Sequence, residues 1–408
     1  MRELTWTVGQ SDCAYSPENV RQSDGSCRSE RAGQSEPALN AVLSAGLERG
    51  ADRCREKRMT VEQFLRARGC SHHVLTHLNH TDHGILRIGE WTYTNQPVFP
   101  GDEITIRLIE QETSDQIVPT PIPITIVYED EDVLVVDKPC DMPVHPSMGN
   151  HENTLANAVM YYYSEKGVPF VFRCVTRLDR DTTGLVVLAK NMLSSAILSD
   201  MSAHRQIHRE YLAITEGILP EEGTIDAPIA RVDGSPLMRC VDYENGERAV
   251  THFECLGVYI RKQGTADAIR MPGSVNFEKS GSIGCELLEK PDLTLGAEKT
   301  VTVGRTCICS KTDEKTPDAL PAKLSLASVI LETGRTHQIR VHMKSIGHPL
   351  PGDFLYHPES VCDLAPRQML HAHRVTFPHP ITGKMLSFES AVPRDMRQLL
   401  DAYQISDI

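Results

Sequence analysis

The sequence predicts an α+β protein, with a large mixed α and β domain preceded by a smaller α+β module. Three observations carry this prediction. Short apolar runs such as DVLVVDK (132–138) and TGLVVLAK (183–190) read as strands, and they alternate with helical patterns at 154–167 and 191–204. Residues 60–108 hold two short helical patterns followed by short strand-like runs. Between the two regions lies a proline-rich stretch, VPTPIPITIV at 118–127, where repeated prolines disfavour helix and favour extended chain.

Taken in chain order, residues 1–10 fit a short strand, and residues 11–36 are rich in Ser, Gly, Gln and Glu, which reads as flexible. A modest helical pattern (Leu39, Val42, Leu43, Leu47) occupies 36–59, so 1–55 is expected to be a variable extension. In the module, spanning 56–112, TVEQFLRARG and HHVLTHLNHT are the helices, and ILRIGEWTYTN and DEITIRL hold the strands. Pro100, Gly101 and Asp102 supply a tight turn before the last strand. Residues 113–128 are expected to act as a linker and 129–400 as the large domain. Residues 262–322, dominated by Gly, Ser, Asp, Glu, Lys and Thr, read as an insertion between strands. No fixed-period repeat appears.

Composition narrows the function classes. The chain has 408 residues, 40% of them hydrophobic and 24% charged, as expected of a globular protein of two or three units. No apolar stretch approaches membrane-helix length and the start lacks a signal-peptide core, so a cytoplasmic location is expected. The twelve cysteines are scattered without a CxxC pair, which reads as free thiols rather than a zinc or redox motif. With 42 basic and 55 acidic residues, the net charge of −13 gives no diffuse attraction to phosphate. Any nucleic-acid contact must use local cations, and these concentrate at Arg173, Arg177, Arg180, His204, Arg205, His208 and Arg209, and again at Arg335, His337, Arg340, His342 and Lys344.

Four segments carry candidate chemistry. In CVTRLDRDTTGLVVLAKN (174–191) a polar turn runs into an apolar strand, and Asp179 is either a rigidly held nucleophile or a turn carboxylate satisfied by amides. Thr182, Thr183 and Gly184 can fix that loop. In LETGRTHQIRVHMKSIGHPLPGDFLY (331–356) an apolar, strand-like run brings Arg335, His337 and Arg340 together. If Arg340 faces Asp179, the pair keeps the aspartate ionised in a water-poor site; a purely structural salt bridge is the alternative. In HREYLAITEG (208–217) Tyr211 is either a base-stacking aromatic or a core tyrosine. In EDEDVLVVDKPCDMPVHPS (129–147) Pro139 and Pro146 stiffen a loop bearing Lys138 and His145; the alternative is a plain strand and turn.

Two of these segments match long signatures in the proper order. R-L-D-R-x-T-[ST]-G-L fits 177–185, and G-R-[TS]-H-Q-[IL]-R-V-H fits 334–342; HPLPGDFLY and MLHAHRVTFPHP follow as closing motifs. On these residues the chain resembles the RluA-type RNA pseudouridine synthases, over about 56–400 apart from the insertion. The module resembles the ribosomal-protein S-four-like RNA-binding fold, although His72, His73, His77 and His80 stand where that fold is usually basic. Other departures are Asp137 for an expected Asn, Asp141 for a Gly and Arg209 for a Lys.

The resemblance implies a mixed, largely antiparallel sheet with flanking helices. It also implies Asp179 as the essential carboxylate, Tyr211 as the active-site aromatic and Arg340 as the aspartate's basic partner. Arg177 would fill the gap left by a flipped uridine. Arg180, Thr182, Arg335, His337, Ile339, Lys138 and His145 would contact RNA or the target nucleotide. An exchange of an N-glycosidic for a carbon–carbon bond within one nucleotide needs no metal, redox cofactor or nucleotide, and the sequence carries no P-loop or dinucleotide glycine loop. The histidines of 72–83 have no zinc-type spacing and read as a surface helix. Ribosomal RNA is the favoured partner, transfer RNA the other, with no membrane partner and a monomer favoured. Two further readings are a non-catalytic RNA-binding or assembly factor on the same scaffold, and a hydrolase, for which Asp181 is the one nearby second carboxylate.

Overall fold

A computed structural model of the chain describes residues 1–13, 58–147, 151–262 and 321–406. The described chain packs as two compact units. One comprises Met1–Arg209 with Ala372–Ser390, the other Glu210–His371 with Ala391–Ile408. The architecture is mixed α and β with a mostly antiparallel sheet, as the sequence predicted. Among the described residues no helix is long and apolar enough to cross a membrane.

The first unit opens with β1 (Arg2–Thr7), α1 (Gln10–Cys13), α2 (Val61–Ala67), α3 (His72–His80), β2 (Ile85–Arg87), β3 (Glu90–Trp91) and β4 (Glu103–Leu108). The four strands form one sheet in the order β1-β4-β2-β3. Thr60 caps α2 in a reciprocal capping box with Gln63, and Ser71 caps α3, so each helix starts where its sequence supplies a hydroxyl. Their apolar faces meet the inward residues of β4, notably Ile104, Ile106 and Leu108, in a single core. The strand expected within 1–10 is present at residues 2–7 and, although placed in a variable extension, completes this sheet by pairing antiparallel with β4. Residues 10–13, at the edge of the stretch read as flexible, form a helical turn because Asp12 accepts the Gly9 N–H at 2.9 Å and an Arg68 nitrogen at 3.0 Å. The helical pattern at 36–59 falls almost entirely outside the described residues.

The same unit continues with β5 (Thr125–Glu129), β6 (Val133–Lys138), α4 (Leu155–Glu165), β7 (Arg173–Cys174), β8 (Thr183–Ala189) and α5 (Met192–Ala203). The proline-rich stretch is not an open linker. Ile117, Ile122, Ile124 and Ile126 pack against the core beneath α4, Asn157 donates to the Val118 carbonyl at 2.7 Å, and β5 already begins at Thr125. Pro supplies extended chain here, and the isoleucines between the prolines supply the apolar surface that fixes it.

β6 and β8 pair antiparallel, with Val133 opposite Ala189 and Lys138 opposite Gly184. Their unbroken apolar runs follow from burial on both faces. Leu134, Val136, Val186 and Leu188 face the core under α4, whereas Val133, Val135, Leu185 and Val187 face a second core with Leu198 of α5. Each such side chain contributes about 1.5–3 kcal/mol on burial. α5 also connects the module, since Met192 and Leu193 belong to the core shared by α2, α3 and β4.

The second unit holds β9 (His208–Glu216), β10 (Glu222–Asp226), β11 (Ile229–Arg231), β12 (Arg239–Val241), β13 (Val250–Arg261), β14 (Lys323–Leu331) and α6 (Gln338–Ser345). β15 (Leu370–Pro378) then leads back to the first unit, where it pairs with β16 (Met385–Glu389); α7 (Arg394–Asp401) and β17 (Tyr403–Ile405) close the chain in the second. Within this unit the strands run β10-β13-β14-β9, with β17 on β13. The expected insertion falls between β13 and β14, and residues 263–320 lie outside the described residues. One element is corrected. The run 338–345, read as strand-like, is helix α6. Ile339, Val341 and Met343 alternate as on a strand, but residues 338–343 are all buried, so no polar face marks the helical period.

Gly184, at the entry to β8, has φ +111°, and a Cβ there would lie 2.2 Å from the Ala372 carbonyl oxygen. Gly184→Ala should therefore destabilise the protein by about 3 kcal/mol, combining backbone strain with overpacking. Chemical denaturation checks this, and an unchanged midpoint contradicts it.

Candidate active site

The loop carrying Asp179 is positioned from both ends. At its start, the Thr176 hydroxyl accepts the Val187 N–H at 3.0 Å and the Val175 N–H reaches the Val187 carbonyl at 2.9 Å, tying the loop to β8. At its end, the Thr182 N–H closes a turn on the Asp179 carbonyl at 3.2 Å, and Thr182 and Thr183 are buried. Asp179 itself is half-buried, between exposed Arg177 and exposed Arg180.

The neighbouring loop after β6 is stitched to it through one residue. The Arg180 carbonyl accepts Lys138 Nζ at 2.9 Å and the Met142 N–H at 3.1 Å. Lys138 Nζ also donates to the carbonyls of Pro139 and Met142, each at 2.9 Å. Lys138, expected to contact RNA or the target nucleotide, is 1% exposed. Its ammonium joins two loops because three carbonyls replace its hydration. Asp141 adopts φ +52°, the conformation in which glycine would be unstrained, so the loop keeps its glycine-like path, and its carboxylate lies 3.7 Å from Arg180. Arg180 lies mainly on Asp181, with contacts of 3.1–3.2 Å.

His145 sits edge-on against Phe172 at 5.1 Å. Burial against that ring, and secondarily the Arg177 charge, hold its pKa below the usual histidine value. Arg177 is exposed, so its long cationic side chain lies at the surface.

In the second unit Tyr211 is buried on β9, opposite Val329 of β14. α6 begins at His337, which holds φ +57° and ψ +21°. A non-glycine residue in this region costs about 1–3 kcal/mol and persists only where neighbours enforce it. Here Gln338 accepts the Arg335 N–H at 2.9 Å and the Thr333 hydroxyl at 2.8 Å, and His337 Nδ1 lies 2.8 Å from the Tyr356 hydroxyl. Arg335 is exposed, with Glu247 and the Arg248 carbonyl as partners. Ile339, expected to touch substrate, is 4% exposed inside α6. Arg340 is buried and gives Nε and Nη2 to Asp353, each at 2.7 Å. Reading residue by residue missed Asp353 and Tyr356. The signal lay in HPLPGDFLY, which holds both residues and follows α6 in the chain.

Asp130, Asp132 and His379 bring ligand-type atoms within 4.8 Å of one another. These atoms are already engaged. Asp130 accepts Tyr128, His379 and two backbone amides, and Asp132 accepts Arg2, Asn191 and Ser194, a set that fits a structural clasp better than a cation site.

A family model described as RNA pseudouridylate synthase matches residues 132–345, the span from β6 to the end of α6. "Uncharacterized RNA pseudouridine synthase YjbO" of Bacillus subtilis is 31% identical, covering 84% of this chain and 98% of that protein. "Ribosomal large subunit pseudouridine synthase D" of Zymomonas mobilis is 35% identical, covering 71% and 75%. The chain belongs to the RNA pseudouridylate synthase family, and is thus an isomerase acting on RNA.

Lys138→Met should leave three carbonyls without their donor and release the loop behind Asp179. The expected cost is about 3 kcal/mol of stability. Thermal melting and limited proteolysis within 139–147 check it; a variant as stable and as resistant as the parent contradicts the stitch.

Proposed function

We propose that this protein converts specific uridines of structured RNA, ribosomal RNA foremost, to pseudouridine, with Asp179 as the catalytic carboxylate. The observation that carries the reading is the Asp179 loop, anchored at Thr176, Arg180 and Thr182 within the span matched by the family model. Relatives titled ribosomal large subunit pseudouridine synthase D support the ribosomal substrate. In this reading Arg340 is the basic partner of Asp179 and Tyr211 is the aromatic beside the uracil ring. Arg177 occupies the gap left when the uridine flips out. Arg180, Arg335, His337 and His145 are read as contacts for the RNA, and Lys138, Thr182 and Ile339, all buried, as supports within their own units.

Asp179→Asn removes one charge at nearly constant shape. It should abolish turnover, with RNA affinity within about threefold of the parent, because phosphate contacts rather than Asp179 set binding. Digestion of the treated RNA to nucleosides reads this directly: pseudouridine from the parent and none from the variant supports the assignment. Pseudouridine from both overturns the role of Asp179, free uracil indicates a hydrolase, and no product from either with RNA retained indicates a non-catalytic binding factor.

We further read residues 56–112 as an S-four-like RNA-binding module. Its exposed Trp91 and Tyr93 and the arginines Arg58 and Arg66 support contact with bases and phosphates. Ultraviolet crosslinking to substrate RNA should map to this segment; crosslinks confined to residues beyond 112 contradict the reading.

A further inference from the structure

The start of α6 is held by a buried assembly centred on a carboxylate that neither sequence signature assigned. Asp353 is 1% exposed and Arg340 3% exposed. The two meet side-on, Nε to Oδ2 and Nη2 to Oδ1, both at 2.7 Å. Such a fork fixes the plane of the guanidinium as well as its position, which a single contact cannot do. Asp353 Oδ1 also accepts the backbone N–H groups of Leu355 at 3.1 Å and Tyr356 at 3.0 Å.

Those two bonds set the turn that seats Tyr356. The Tyr356 hydroxyl accepts the Arg239 N–H at 2.9 Å and lies 2.8 Å from His337 Nδ1. Its carbonyl accepts Lys344 Nζ at 2.7 Å, and its ring lies under the Arg340 guanidinium at 4.9 Å. One carboxylate therefore holds Arg340 directly and His337 through Tyr356. Stability alone is a weak account of the pair, because apolar residues of similar volume often replace a buried ion pair without loss. What apolar residues cannot supply is a guanidinium forked onto a carboxylate with its orientation fixed.

We propose that Asp353 is a positioning residue for the reaction, acting by holding Arg340, and secondarily His337, in the orientation catalysis requires. This rests on the reading of Arg340 as the partner of Asp179. A double-mutant cycle in the full chain with Asp353→Asn and Arg340→Lys separates the two claims. Asp353→Asn should lower kcat roughly 100-fold with KM for RNA changed less than about twofold, the scale of a displaced catalytic group. In the Arg340→Lys background the same substitution should cost less than about threefold, since the orientation it protects is already lost.

An equal fold-loss in both backgrounds overturns the proposal, because Asp353 then acts independently of Arg340. A rise in KM with kcat unchanged overturns it too. Full activity of Arg340→Lys alone overturns the assignment of Arg340, a distinct failure visible before Asp353 is touched. If circular dichroism shows Asp353→Asn unfolded, Asp353→Glu, which keeps the charge and moves it by one methylene, takes its place in the same cycle with the same outcomes.

Discussion

The pairing of β6 with β8 is the constraint on which the first unit depends. Both strands are covered on both faces, so neither can slip by one residue without exchanging its two buried faces. In the observed register Lys138, leaving β6, lies opposite Gly184, entering β8. The loop after β6 and the loop before β8 therefore emerge at the same end of the pair. The reach of the Lys138 ammonium to the Arg180 carbonyl follows from this register, as does the need for Gly184 beside the Ala372 backbone. The position of Asp179 is thus a consequence of strand register, transmitted through one buried cation and a few backbone bonds.

Charge is handled locally. Against a net of −13, the cations near the candidate residues are mostly engaged by carboxylates of their own unit, Arg180 with Asp181, Arg335 with Glu247 and Arg340 with Asp353. These pairs contribute orientation more than attraction, since a paired guanidinium presents directed N–H groups while its net charge is cancelled. Arg177 is exposed in the Asp179 loop.

Legibility in the sequence followed the physics of each element. β6 and β8 were readable because double burial leaves an unbroken apolar run, and α4 and α5 because capping residues stand before apolar periodicity. The module's helices and strands were readable from the same cues. α6 was not, since burial of residues 338–343 erases the polar face that distinguishes a helix from a strand. β1 was readable as a strand, but its place in the module's sheet was hidden by its distance in sequence from β4, its partner. The long motifs singled out Asp179 and Arg340 as candidates. The burial of Lys138 was not readable because it depends on carbonyls from Pro139, Met142 and Arg180 that fold around it, and Asp353 was passed over because its partner stands on another element.

The central claim is that the chain isomerises uridine within RNA at the site built on the Asp179 loop. Its most direct test is release of tritium from RNA labelled at carbon 5 of uridine, measured with the purified full chain on ribosomal and transfer RNA transcripts. The account predicts release, with ribosomal transcripts preferred. Retained label in every RNA that the protein binds would contradict it.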